Sequence, residues 1–351
     1  MALDESSLIW RAPLSREQGS SNGGRMSTVE IVNNTPNNVF PNVYSAQREN
    51  GDTNYQLVYA LVNGDAELGE TLVDGFQYLF RQPEGDEYIC FCVGNQRYTA
   101  GDYGFPDTDT ERKYGPAELA SDVVAGATSL TLTCKSADHA SGADNCWADG
   151  DNFFITDKAL YNSTTGNLEK LTVDGSPAVD PDGVTVTISF TPALVNGYTA
   201  GAVVASYPAP QDVATNQFDN LVTTGITGTT TVDIATAGNV IVDSLGALEM
   251  TLTFTMTAAT TFDVTTDYPG IATLPSGNTT VDYAPQNDDV SRPYATFKAG
   301  WITNGQAGDS FSLQIHPPVA LGGPMIQKKV VPAGAAAATG LSVTAVLEGE
   351  A

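Results

Sequence analysis

Apolar and polar residues alternate with a period of two along most of this chain, and this pattern constrains the fold more than any other feature. The segment TLTFTMT, residues 251–257, alternates strictly, as half-buried strands of antiparallel sheets do. Turn-forming residues recur about every 8 to 12 positions. We therefore predict an all-β protein with two to three antiparallel β-sandwich or small-barrel domains and an extended N-terminal arm.

Charge is distributed unevenly along the sequence. The 351 residues carry a formal net charge of -26, from 41 acidic and 15 basic residues. Residues 171–291 contain no lysine or arginine, but they contain 13 acidic residues. Affinity for phosphate backbones and for anionic headgroups comes from cationic side chains. We therefore expect no nucleic-acid partner and no membrane partner.

Turn-rich segments divide the chain into four predicted parts. Residues 1–28 form the extended N-terminal arm, and residues 29–118 form a β-sandwich-like domain. Residues 119–208 contain short, regularly spaced strands, which predicts a small β-barrel or sandwich module. Residues 209–351 continue with alternating strands, which predicts an Ig-like β-sandwich domain.

The predicted arm contains one apolar group. Leu8, Ile9 and Trp10 precede a flexible Gly/Ser stretch at residues 19–24. Such a group is too apolar for an exposed tail, and its burial would remove unfavourable hydration. We predict that these three residues anchor the arm on a neighbouring subunit.

The four cysteines do not form a disulfide framework in a chain of this length. Cys90 and Cys92 are separated by one residue on a predicted strand, and we interpret them as buried free thiols. Cys134 and Cys146 bracket a loop that closes easily, so they are candidates for a disulfide. Synthesis in the cytoplasm opposes that disulfide until the protein leaves the cell.

Catalytic chemistry has little support in the sequence. Only two histidines are present, His139 and His316, and no α/β pattern surrounds the Gly-Asp-Ser sequence that ends at Ser310. Trp147 and Trp301 lie at loop-to-strand junctions, where capping of the core is favoured over a sugar-binding platform. We expect no enzyme, no catalytic residue, no cofactor and no small-molecule substrate.

Two acidic turns have the oxygen density that calcium prefers: DTDTE at residues 107–111 and DGD at residues 149–151. Neither turn matches the spacing of a known calcium loop, and there is no C-x2-C spacing for zinc. We interpret both turns as solvated, and we predict no metal site.

Three segments resemble a small β module of phage and phage-like surface and tail proteins: VVAGATSLTLT, DGDNFFITD and VTISFTPALVNGYTAGAVVA. The C-terminal segment YATFKAGWITNGQAGDSFSLQIHPP is similar to segments of the same loose group, the structural proteins of tailed-bacteriophage virions. This resemblance implies a non-enzymatic component of the tail, baseplate, neck or capsid surface. Its expected partners are other virion proteins and copies of itself. The alternative is a receptor- or glycan-binding module of a phage or a cell surface.

The expected location follows from the same resemblance. The N-terminus lacks a basic region followed by an apolar run, as a secretory signal would have. We therefore expect synthesis in the host cytoplasm and a final location in the virion.

Overall fold

The computed structural model describes residues 5–16, 23–32, 35, 38–94, 111–320, 323–337 and 343–350. Antiparallel strands dominate these residues, and the helical segments are short. The prediction of an all-β fold with sandwich and small-barrel units is confirmed. The helical segments are a 3-10 turn at Glu5–Ser7, α1 at Ser45–Asn50 and α2 at Ala137–Ala140.

The first part of the chain contributes five strands to two sheets. They are β1 Leu8–Ser15, β2 Gly23–Glu30, β3 Asp52–Val62, β4 Thr71–Leu79 and β5 Tyr88–Val93. Strands β3, β4 and β5 are the predicted runs rich in Val, Tyr, Phe and Ile. Such residues fill both faces of a buried strand, and β5 is buried along nearly its whole length.

The second part forms a closed barrel of six strands. Its strands are β6 Pro116–Leu119, β7 Ser129–Thr133, β8 Asn152–Thr156, β9 Leu168–Val173, β11 Thr185–Thr191 and β12 Val203–Tyr207, with β10 Ala178–Val179 added at the edge of β11. The order around the barrel is β11-β7-β6-β12-β8-β9, and the pairing of Phe190 with Val173 closes it. Alternation places Val186, Ile188 and Phe190 inside, because successive side chains of a strand point to opposite faces.

The third part contains a five-stranded sheet and several short pairs of strands. Its strands are β13 Gln211–Ala214, β14 Phe218–Val222, β15 Thr231–Val232, β16 Val240–Val242, β17 Met250–Met256, β18 Thr261–Tyr268, β19 Ile271–Asn278, β20 Gln286–Asn287, β21 Arg292–Pro293, β22 Ala295–Phe297, β23 Ile302–Thr303 and β24 Ser310–Ile315. The sheet order is β14-β24-β17-β18-β19.

Strand β17 shows how the alternating pattern builds this part of the core. Leu252, Phe254 and Met256 are buried, and the threonines between them are more exposed. The Phe254 ring lies 5.0 Å from the ring of Phe311 and 5.1 Å from that of Trp301. The segment is therefore half-buried, as predicted, and its buried face is part of an aromatic core.

The last strands of the chain join the sheets of its first part. Strand β25, Met325–Val331, lies between β3 and β5, and strand β26, Ala345–Glu350, pairs with β4. The sheets therefore have the orders β2-β1-β3-β25-β5 and β13-β4-β26. The last strands of the predicted part 209–351 thus belong with the sheets of the predicted part 29–118.

The predicted N-terminal arm contributes a strand to the first sheet. Residues 8–15 form β1, which pairs with β3 of the same chain at Leu8–Val62, Ile9–Leu61 and Trp10–Ala60. Within the described residues, the predicted anchor is a strand in the interior of a sheet. Leu8, Ile9 and Trp10 are thus partly buried against their own chain, and their contact with a neighbouring subunit stays a prediction. Residues 1–4 and 17–22 of the predicted arm lie outside the described residues.

The barrel is seated on the first part of the chain through its outer face. Phe76, Tyr78 and Phe80 form one apolar cluster with Phe154 and Tyr207 on the outside of the barrel. Phe76 and Tyr207 stack with their ring centroids 4.4 Å apart.

Candidate functional site

The residues singled out from the sequence are mostly structural. Trp147 and Trp301 are 0% and 1% exposed, so neither provides a sugar-binding platform. Ser310 and His316 flank strand β24 at opposite ends, roughly 20 Å apart at the rise of an extended chain. A nucleophile and its base must lie within hydrogen-bonding reach of one another. The Ser310–His316 pair therefore cannot form a nucleophile and its base.

The carboxylates of the acidic turn at residues 149–151 accept hydrogen bonds from other groups of the protein. Asp151 accepts hydrogen bonds from the guanidinium group of Arg112 and from the backbone N–H of Ala148. Asp149 accepts one from the N–H of Gly175. The other acidic turn, residues 107–111, lies outside the described residues except for Glu111.

The candidate disulfide is not formed in this structure. Cys134 and Cys146 are both free thiols, and both are buried. Cys90 and Cys92 are likewise free and buried, as interpreted from the sequence. Cys146 Sγ donates a hydrogen bond to the carbonyl oxygen of Asp144 at 3.3 Å.

An exposed apolar tip closes one end of the barrel, and it is the surface feature best suited to a protein contact. Residues 123–127 and 192–198 make this tip, which we call the barrel tip. Val124 is 75% exposed and Val195 is 77% exposed, the two largest values among the exposed large apolar residues that the structure describes. Ala125, Pro192 and Ala193 beside them are also exposed. No charged residue occurs in either segment.

Backbone pairing holds the two segments of the barrel tip together. Val123 and Tyr198 exchange two N–H···O=C hydrogen bonds, of 2.8 and 2.9 Å. Gly126 donates to the carbonyl oxygen of Leu194 at 2.7 Å, and Leu194 donates to that of Ala127 at 2.9 Å. The tip is therefore fixed in shape before any partner arrives, which lowers the entropic cost of binding.

A half-buried carboxylate supports one side of the tip. Glu169, on β9, accepts hydrogen bonds from the backbone N–H groups of Val195 and Asn196, at 2.7 and 2.8 Å, and from the hydroxyl of Tyr198 at 3.0 Å. Burial acts to raise the pKa of Glu169, but these hydrogen bonds together outweigh it and lower the pKa. The carboxylate is thus used to position the loop that carries Val195.

Sequence reasoning missed the barrel tip, although a signal for it exists. Val123-Val124 and Leu194-Val195 are pairs of adjacent apolar residues in loops between strands. Adjacent side chains of an extended segment point to opposite sides, so in a surface loop one member of each pair is exposed. Leu194 is buried at 3% exposure, and Val195 is the outward member.

A second, polar group of residues is buried where the barrel meets strands β5 and β25. Asp144 accepts hydrogen bonds from Lys328 Nζ at 2.7 Å and from the hydroxyl of Tyr88 at 2.9 Å. The imidazole of His139 stacks on the Tyr88 ring and is 0% exposed. Burial lowers the pKa of His139 to about 4, against a smaller opposing effect of Asp144. The imidazole is therefore neutral at physiological pH. We call Asp144, Lys328, Tyr88 and His139 the structural clamp, because they hold the loop between β7 and β8 against β5 and β25.

A shallow cleft lies near this clamp. Its volume is about 350 Å³, and its lining includes Gly85, Asp86, Lys135 and residues 332–335. Lys135 donates to the carbonyl oxygen of Gly85, and Asp86 accepts from the N–H of Ala336. The charged side chains of the cleft, Lys135 and Asp86, therefore form hydrogen bonds within the protein.

Comparison with family models, with curated proteins and with solved structures found no match to this chain. Among the described residues, no group of three or more His, Cys, Asp or Glu side chains is arranged to hold a metal ion. No helix in the described ranges is both long enough and apolar enough to cross a bilayer. The barrel tip is thus the candidate site on geometric grounds.

Proposed function

We propose that the protein is a non-enzymatic structural subunit of a tailed-phage virion, in the tail, baseplate, neck or capsid surface. In this proposal it assembles through protein–protein contacts, and the barrel tip is one of its contact surfaces. The observation that carries the proposal is the exposure of Val124 and Val195 on two preformed segments that contain no charged residue. Apolar side chains held rigidly at a surface mark sites of protein association.

Composition supports the choice of partner. The barrel tip lies at residues 123–127 and 192–198, and residues 171–291 contain no lysine or arginine. A polyanionic partner would find no cation in that stretch. The proposed occupant of the tip is therefore an apolar depression on another virion protein or on a second copy of this chain.

The alternative, a receptor- or glycan-binding module, requires aromatic side chains on the surface to stack against a sugar. The two tryptophans considered for this role are buried in the cores. The structure offers the alternative no site at Trp147 or Trp301, so assembly is the better-supported proposal.

The test replaces the apolar tip by a charged one. Val124→Asp and Val195→Asp place a charge on a contact surface, where desolvation opposes binding. We expect both variants to fold and to be depleted from purified particles. Val281→Asp is the matched control, because Val281 is 58% exposed and lies in the third part of the chain. The proposal fails if the tip variants are incorporated as fully as Val281→Asp.

A further inference from the structure

Four Asn-Gly pairs lie in the part of the chain that the structure describes, and they differ in how the asparagine side chain is held. The pairs begin at Asn50, Asn63, Asn196 and Asn304. A further pair begins at Asn22, which lies outside the described residues. In such a pair the glycine nitrogen can attack the asparagine amide, because glycine has no side chain that obstructs the approach. The asparagine side chain must turn towards the glycine for this attack, so hydrogen bonds that hold it oppose the reaction.

Three of the four asparagines have a side chain that is held in this way. Asn50 Nδ2 donates to a carbonyl oxygen of its own helix at 2.9 Å. Asn63 Oδ1 accepts a hydrogen bond from Ser244 Oγ at 3.0 Å. Asn196 Nδ2 donates to Glu169 Oε1 at 2.9 Å. Each of these side chains has to lose a hydrogen bond before its amide can approach the next nitrogen of the chain.

Asn304 is different. It follows β23 directly, it is exposed, and its side chain forms no hydrogen bond to any residue that the structure describes. Its φ of 54° is left-handed, and asparagine and aspartate adopt this conformation more readily than other residues with a side chain. Asn304 therefore has the least restrained side chain of the four, in a turn that also accommodates aspartate.

We propose that Asn304 is a deamidation site, with water as the only co-reactant. The nitrogen of Gly305 attacks Cγ of Asn304 and closes a succinimide ring, and the amide nitrogen leaves as ammonia with the proton of the glycine N–H. Water then opens the ring at one of its two carbonyl carbons. Opening at Cγ gives aspartate, and opening at the main-chain carbonyl gives isoaspartate, in which the chain runs through Cβ and Cγ. The reaction consumes one water and releases one ammonia, without oxidation or reduction.

The packing of the turn should make the two products differ in stability. The carbonyl oxygen of Asn304 accepts a hydrogen bond from Thr229 Oγ1 at 3.0 Å. A methyl group added at Gly305 would clash with the carbonyl oxygen of Ala259. Isoaspartate lengthens the main chain by one carbon atom between these two contacts, whereas aspartate keeps the backbone and adds only an exposed charge. Closely packed segments do not absorb such an insertion without strain, so isoaspartate should destabilise the fold and aspartate should not.

The experiment compares the four pairs in the folded, full-length chain. The protein is incubated in a mildly alkaline buffer, because the deprotonated glycine nitrogen is the attacking form, and is then digested with trypsin. Residues 299–328 form one peptide, in which Asn304 is the only asparagine. Exchange of the amide for a carboxyl group raises its mass by about 1 Da. Fragmentation assigns the other sites, and we expect Asn304 to react several-fold faster than Asn50, Asn63 or Asn196.

Two variants test the physical argument. Ser244→Ala removes the donor to Asn63 Oδ1, so deamidation at Asn63 should become several-fold faster while the rate at Asn304 stays the same. Asn304→Asp carries the charge of the product on an ordinary backbone. It should unfold close to the wild-type temperature, and the deamidated fraction that contains isoaspartate should unfold at a lower temperature than this variant.

Four results would overturn the proposal. They are a rate at Asn304 no greater than at the three held asparagines, an unchanged rate at Asn63 in Ser244→Ala, aspartate as the sole product, and equal unfolding temperatures for the isoaspartate fraction and Asn304→Asp. This inference is independent of the proposed function, because it uses only the chemistry and the packing of one turn.

Discussion

Lys328 Nζ lies 2.7 Å from Asp144 Oδ1, and this ion pair ties strand β25 to the loop between β7 and β8. The side chains are 12% and 1% exposed, so the pair is nearly removed from water. The second oxygen of Asp144 accepts a hydrogen bond from Tyr88. Removing one partner of this buried carboxylate is destabilising, because the group that remains is still buried away from water but has lost the interaction that compensated its desolvation.

Breaking this pair should destabilise the protein strongly. Lys328→Met leaves the Asp144 carboxylate buried without its cation, which costs about 3 to 5 kcal/mol in comparable buried pairs. The measurement is the free energy of unfolding from urea denaturation. Lys170→Met is the control, because the Lys170–Glu348 pair is 44% and 38% exposed, and surface pairs contribute up to about 1 kcal/mol. Equal losses in the two variants would contradict the structural clamp.

The buried imidazole of His139 should make stability depend on pH. The unfolded chain binds a proton near the ordinary histidine pKa of 6.5, whereas burial keeps His139 of the folded chain neutral down to a pKa of about 4. The unfolded state therefore binds more protons between these values. Stability should be complete above about pH 6.5 and should fall by about 3 kcal/mol as the pH drops to about 4.

His139→Phe tests this dependence, because it keeps a ring against Tyr88 without a titrating nitrogen. The difference in unfolding free energy between wild type and variant is measured from pH 4 to pH 7. This difference should change steeply with pH over that range. His139→Asn serves as a second variant if the larger ring does not fit beside Gly115, whose added methyl group would lie 3.3 Å from His139 Nε2. Parallel pH profiles for wild type and both variants would refute the assignment.

The sequence was sufficient to predict the strands, but it did not show which strands pair with one another. Alternation in β17 predicted that one face of the strand is buried, because successive side chains of a strand point to opposite faces. The period of β25 does not say that Lys328 lies opposite Cys90, since strand pairing is decided by contacts that are distant in sequence. The same limit applies at Trp10, because its sequence neighbours do not show that Leu8–Trp10 pair with β3.

The barrel tip could not be predicted from the sequence for a related reason. Val124 and Val195 belong to segments that were assigned to the barrel, and their type gives no indication of exposure. Only the pairing of two loops from different parts of the barrel brings them to one surface. Pairs of adjacent apolar residues also occur in buried strands such as β5, so the pairs at residues 123–124 and 194–195 indicate exposure only once they are placed in surface loops.

Asp309 should produce a second, more acidic region of pH dependence. Its carboxylate accepts a hydrogen bond from the Thr230 hydroxyl at 2.6 Å, and others from the N–H groups of Thr227 and Gly228. The Thr230 hydroxyl is the largest cause that lowers the pKa of Asp309 from 3.8 to about 2. The folded pKa lies below the unfolded value, so this stabilisation is present above about pH 4 and is lost as the pH falls towards 2.

Thr230→Val removes the main donor and should bring the pKa of Asp309 closer to 3.8. The variant should be less stable than wild type at neutral pH, and the difference should shrink as the pH falls from about 4 to about 2. Thr231→Val is the control, because Thr231 is exposed and is the next residue in the chain. Urea unfolding across this acidic range and up to neutral pH gives the comparison. A constant difference over the whole range would show that Thr230 does not act through the Asp309 carboxylate.

The N-terminal segment should be required for folding and not only for assembly. Strand β1 lies between β2 and β3, and Ala12 and Arg11 are 1% and 2% exposed. Arg11 Nη2 also donates to the carbonyl oxygen of Leu245 at 2.8 Å, which connects β1 to the third part of the chain. Deletion of β1 would remove these contacts and leave the edge of β3 unpaired, which favours aggregation.

We expect the chain that lacks residues 1–15 to be insoluble or to lack a cooperative thermal transition, and the chain that lacks residues 1–4 to unfold as the full chain does. Circular dichroism and calorimetry give the comparison. A shortened chain without β1 that melts cooperatively near the full-length midpoint would show that β1 is dispensable, as a free arm would be. If the expected result is obtained, loss of such a truncated chain from particles reports a failure to fold. The point variants at Val124 and Val195 are then the proper test of assembly, because they alter a surface that the fold does not need.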